Sequence, residues 1–144
     1  MSFDHFRTRR SVGYLALALY LASIALPVAT MSSQTEGTWY GITLLTIGPL
    51  GLLADQFGWF ANPLMIWLMV WFCLRQRINM LGAILAVVAF ALALTSLNWT
   101  VAYDDAGEFH ITSHGLGFYL WIGCAALLAV SALWLRRVDE RKGY

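Results

Sequence analysis

Two histidines four residues apart, His110 and His114, stand beside the acids Asp104, Asp105 and Glu108. On a helix, residues i and i+4 share a face, and two imidazoles so placed hold a divalent metal once further ligands join them. Spacing fixes no third ligand here, and loop histidines among acids are ordinarily solvated. The pair is therefore a weak metal candidate, and neither a metal nor a cofactor is assigned. The two cysteines, Cys73 and Cys124, each lie inside an apolar run with no partner at short spacing, which reads as two small buried hydrophobes rather than a redox pair. No nucleophile stands beside a matching base, so no catalytic residue is named and the chain is read as a non-enzyme.

Asp55 is the carboxylate of most interest. It follows a long uncharged run and precedes Phe57-Gly58-Trp59-Phe60, the composition of a membrane–water boundary. With Gln56, Trp59 and Asn62 it forms one half of an expected polar or interaction site. The acids Asp104, Asp105 and Glu108 form the other half.

The elements that must position these residues are apolar. Of 144 residues, 60% are hydrophobic and 12% charged, with seven Trp, six Tyr and eight Phe. A globular domain in water carries about 25% charged residues. Half that value, with long uncharged runs and many aromatics, indicates an integral membrane protein. The sequence predicts an all-α, single-domain chain over 1–144 with four transmembrane helices, at about 11–31, 57–74, 78–97 and 115–135. A signal peptide competes for the first run, but that run exceeds the usual 7–15 residues and Pro27 occupies the minus-three position of the best cleavage site. Residues 39–54 hold Gly41, Gly48, Pro49 and Gly51 and are too short for a fifth crossing. They are expected as a short helix or re-entrant segment on the outer side. Asn62 before Pro63 reads as a helix cap. The alternation of Trp99, Val101 and Tyr103, then Phe109 and Ile111, around Asp-Asp-Ala-Gly-Glu predicts a small hairpin.

The nine Lys and Arg fall in three places: Arg7, Arg9 and Arg10; Arg75 and Arg77; Arg136, Arg137, Arg141 and Lys142. Four crossings put all three on one side, and the positive-inside rule makes that side cytoplasmic, with both termini there. Economy of loops resembles that of small four-span bacterial inner-membrane proteins, and the bacterial inner membrane is the expected location. Small residues at helical spacing form three seams for close packing: Ala18, Ala22, Ala25 and Ala29; Gly82, Ala86, Ala89 and Ala93; Ala125, Ala129 and Ala132.

No apolar run carries a charge at its middle, where proton relays and ion pathways keep one. The expected function is therefore interaction: an accessory subunit, or an immunity-type protein, meeting a protein partner or a second copy of itself in the bilayer. Nothing calls for nucleic acid. The alternative is a small oligomeric transporter or channel, whose path would draw on Tyr14, Tyr20, Ser23, Thr95, Ser96, Asn98 and Tyr119.

Overall fold

The computed structural model describes residues 3–32, 37–54, 56–74, 77–104 and 107–141, the side chains of 3–7, 52–54, 103–104 and 107–109 excepted. Among the described residues there are five α-helices: α1 (Phe3–Ala25), α2 (Gly41–Ile47), α3 (Ala61–Cys73), α4 (Met80–Thr95) and α5 (Leu116–Arg141). Four strands join them: β1 (Pro27–Met31), β2 (Thr38–Tyr40), β3 (Val101–Asp104) and β4 (Gly107–His114). Short 3₁₀ turns occupy Gly48–Ala54, Gly58–Phe60 and Ser96–Asn98.

Helices α1, α3, α4 and α5 form a bundle in which α5 packs on α1 and α4, and α3 packs on α1 and α4 from the other side. The strands gather at one end in the order β2-β1-β4-β3, all antiparallel. β4 changes partner along its length. Its first half pairs with β3, Val101 opposite His110, and its second half pairs with β1, Ala29 opposite His114. Because α1 leads into β1 and β4 leads into α5, the start of α1 and the end of α5 meet at the opposite, basic end.

The expectation of four transmembrane helices in an all-α chain is not met. Among the described residues two helices are long and apolar enough to cross a membrane, Met80–Asn98 and Leu116–Arg141, and a four-stranded sheet accompanies them. The reason lies at Pro27. Proline lacks the N–H a helix needs and disfavours helical geometry in the residue before it, so the run taken as one span over 11–31 leaves the helix at Ala25 and continues as β1. The apolar part of α1 that remains, from Ser11 to Ala25, is only about 22 Å long at 1.5 Å per residue, against a hydrocarbon core of about 30 Å. The same shortfall applies to α3, whose 13 residues replace the span expected over 57–74 and cover about 20 Å. Residues 39–54 become the end of β2, α2 and the 3₁₀ turn Gly48–Ala54.

The bundle core holds Ala16, Met65, Leu68, Phe72, Ala86, Leu128 and Leu135, all essentially inaccessible. The small-residue seams of α4 and α5 face inward: Gly82, Ala86, Ala89 and Ala93 are buried, as are Ala125, Ala129 and Ala132. The seam proposed on α1 does not, since Ala18 and Ala25 are exposed. Its inward face is instead Arg9, Gly13, Ala16, Tyr20 and Ser23, a stripe at helical spacing that mixes polar with small residues. Asn79 caps α4 by accepting a hydrogen bond from the Gly82 N–H at 2.8 Å, which fixes where that helix begins. At the basic end the buried Arg9 guanidinium bridges both carboxylate oxygens of Asp139, 2.7 Å from Oδ1, tying the first turns of the chain to its last helix.

Candidate functional site

Beneath the sheet, between the ends of the bundle helices and the α2 segment, lies a cavity of about 200 Å³. Its walls are largely aromatic and aliphatic, with Trp59, Phe118 and Trp121 on the bundle side and Trp39, Leu45 and Trp99 among those across from them. α2 and its 3₁₀ turn form one wall, fastened by the Trp59 indole. Trp59 Nε1 donates to the Leu45 carbonyl at 3.1 Å, and the ring packs against Gly48, where a Cβ would overlap it. A second close approach occurs at Gly58, whose missing side chain makes room for the Ser96 hydroxyl.

Asn62 is the hub of this end. It lies inside α3, 7% exposed, and does not cap the helix; Phe60 holds the cap position without a side-chain bond. Asn62 Oδ1 accepts hydrogen bonds from Tyr20 Oη at 3.0 Å and from Trp121 Nε1 at 2.9 Å, while Nδ2 donates to the Trp59 carbonyl at 2.9 Å. One amide thus joins α1, α3 and α5. A buried polar group needs such partners, because leaving one unsatisfied costs about 1–3 kcal/mol. Ser23, also buried, spends its hydroxyl on the Tyr20 carbonyl at 2.7 Å.

Not every polar group here is spent. The Asn62 amide has two N–H donors and uses one of them. Gln56 and Ser96 line the same cavity, and neither side chain is engaged by a hydrogen bond among the described residues.

Gln56, Trp59 and Asn62, three of the residues singled out in the sequence, therefore line one cavity. Asp55 and Asp105 lie outside the described residues, as do the side chains of Asp104 and Glu108; the backbone sets Asp104 opposite Gly107 and Glu108 opposite Tyr103, at the β3–β4 turn. The hairpin read from the alternation over 99–111 is the β3–β4 pair itself.

The histidine pair is not on a helix. Both residues sit on the extended strand β4, where four residues span about 13 Å, so the two imidazoles do not share an ion. His110 is exposed. His114 stacks on Phe118, with ring centroids 4.2 Å apart. Among the described residues no three His, Cys, Asp or Glu side chains cluster as metal ligands. Cys73 and Cys124 are both free thiols, and Cys124 donates to the Ala16 carbonyl at 3.2 Å. Trp121 and the Arg9–Asp139 pair escaped the sequence reading. Trp121 reads as one more interfacial aromatic, and nothing local links residues 130 positions apart.

No protein-family model, no curated protein and no solved structure matches this chain.

Proposed function

We propose that the protein is a membrane-embedded accessory protein that acts by holding partners, with the basic end cytoplasmic and the sheet on the outer face of a bacterial inner membrane. The observation that carries this reading is the construction of the sheet-capped end. The polar side chains buried there serve to brace elements against one another: Tyr20, Asn62 and Trp121 lock three helices, and Trp59 fastens α2. The result is a rigid platform with β2 and β3 as its sheet edges and an acidic turn between β3 and β4. Edge strands and a charged turn are surfaces that a partner's backbone and basic side chains recognise.

Membrane embedding is supported by the bundle's outer surface. Large apolar side chains are exposed on every bundle helix, among them Leu15, Leu21, Val70, Ile84, Val87 and Val130, and large exposed apolar surfaces mark contact with a membrane or a partner. The core favours holding over transport. Below the cavity Met65, Leu68, Phe72, Leu128 and Leu135 fill the interior, and the Arg9–Asp139 pair ties its far end.

Full-length protein extracted from its native membrane in mild detergent tests the reading by its mass. A stable complex, with a second protein or with further copies, is expected. Charge neutralisation at Asp104, Asp105 and Glu108 should weaken it. A lone monomer in several mild detergents and in native-lipid nanodiscs would sink the proposal.

A further inference from the structure

We infer that the cavity under the sheet is a binding site for a flat, ring-bearing apolar molecule with a carbonyl oxygen, the chemistry of a quinone or aromatic ketone head. This goes beyond the accessory role and does not depend on it.

Size, wall chemistry and unspent polar groups converge on that class. The cavity measures about 200 Å³; an apolar cavity of about 150 Å³ is enough to admit benzene, so a substituted six-membered ring fits. Trp59, Phe118 and Trp121 line it, and aromatic walls favour a flat ring by stacked and edge-on contacts. An aliphatic tail would satisfy the walls but not the donors. The second N–H of Asn62, the Ser96 hydroxyl and the Gln56 amide line the same space without partners among the described residues, and each can donate to a carbonyl. Asn62 is held in place by its bonds to Tyr20, Trp121 and Trp59, so its free donor is preorganised.

The site lies beside indoles that report on it. Trp39, Trp59, Trp99 and Trp121 line the cavity, whereas Trp67, Trp71 and Trp134 do not. Full-length protein labelled with ¹⁵N-tryptophan, in phosphatidylcholine nanodiscs, is titrated with duroquinone and, in parallel, with durene, which has the same ring and methyl groups but no carbonyl. The indole signals are assigned by single Trp→Phe variants. Saturable shifts confined to the four cavity indoles are expected, with durene binding about 10-fold more weakly. Ser96→Ala removes a hydroxyl with no partner among the described residues, leaves the fold intact and should weaken duroquinone about 3- to 10-fold, the worth of one hydrogen bond. Equal binding of durene, or no effect of Ser96→Ala, would show an apolar hole without carbonyl recognition and overturn the inference. Non-saturable shifts at all seven indoles, reporting simple partition into lipid, would overturn it as well.

Discussion

Trp121 Nε1 on α5 reaches across to Asn62 Oδ1 on α3 at 2.9 Å, and the same oxygen accepts Tyr20 Oη from α1. A single buried amide oxygen thereby sets the spacing of three helices at the end where the sheet begins. The sequence marks Asn62 as a helix cap and a member of a boundary polar site, but not as the joint between three helices. Its importance arises because α3 starts at Ala61, two residues earlier than a cap at Asn62 would give, which turns the Asn62 side chain inward.

Replacing that amide should be costly. Asn62→Leu strands the Tyr20 hydroxyl and the Trp121 N–H, and each unsatisfied buried donor costs about 1–3 kcal/mol, so a loss of roughly 2–6 kcal/mol is expected from the pair together. Tyr20→Phe removes one donor with its own partner intact and should cost about 1 kcal/mol. Because the two variants share one bond, Tyr20→Phe should be nearly free in the Asn62→Leu background. Thermal unfolding of the four proteins in the same micelle measures this; strict additivity would mean the hydrogen bond contributes nothing.

The Arg9–Asp139 pair makes a different demand. Arg9 is buried while Asp139 keeps 23% of its side-chain surface, so removing the arginine leaves a carboxylate that water partly reaches. Arg9→Met should cost about 1–3 kcal/mol, below the 3–5 of a fully buried broken pair. Arg9→Met with Asp139→Leu should recover most of that loss, since a packed apolar pair substitutes well for buried charges. If the double variant unfolds no later than the single, the pair holds the helices by something other than charge.

Two glycines test how tightly the cavity wall is built. Gly48 faces the Trp59 ring and Gly58 faces the Ser96 hydroxyl, both closer than a Cβ can stand. Alanine at either should cost about 1–3 kcal/mol by overpacking. Gly123 on α5 has nothing within 4 Å of a built Cβ, and alanine there should be neutral or stabilise by up to about 1 kcal/mol through helix propensity. Melting temperatures of the three variants check the contrast. A tolerant Gly48 would mean that α2 is not seated against Trp59.

Legibility from sequence followed locality. The β3–β4 hairpin declared itself because period-two alternation flanking Asp-Asp-Ala-Gly-Glu is a local signal, and the inward seams of α4 and α5 did so through small residues at helical spacing. The first span is broken for a local reason: Pro27, which argues against signal cleavage, also ends the helix and opens a strand. β1 was invisible for a non-local reason. Val28, Ala29 and Met31 are buried where β2 and β4 pair on either side of β1, and the β4 partners lie 80 to 85 positions away. The histidine pair misled through its periodicity, since spacing of four brings side chains together only on a helix and β4 is extended. Gln56, Trp59 and Asn62 stood out at the expected water boundary, yet their common cavity depends on Tyr20, Ser96 and Trp121 arriving from three other segments.

Charge and chain topology together predict an orientation for the proposed membrane protein. Arg77 precedes α4, and Arg136, Arg137 and Arg141 close α5. Met80–Asn98, which is α4 with its 3₁₀ turn, and α5 are the two helices long and apolar enough to cross a membrane, and the first begins and the second ends at the basic end. The segment between them, 99–115, carries no Lys or Arg. The Arg9–Asp139 bridge brings the start of α1 to the same end. Positive residues are retained on the cytoplasmic side, so the membrane reading proposed above predicts a sheet that faces outward. Alkaline phosphatase fused after Ser113 should be active in a bacterial host, and fused after Arg141 inactive. In a Cys73→Ser background, a cysteine at Thr112, which is exposed on β4, should react with an impermeant maleimide in whole cells, whereas one at Arg141 should react only after lysis. The reverse pattern at both sites would place the cavity on the cytoplasmic face and overturn the assignment of the sheet to the outside.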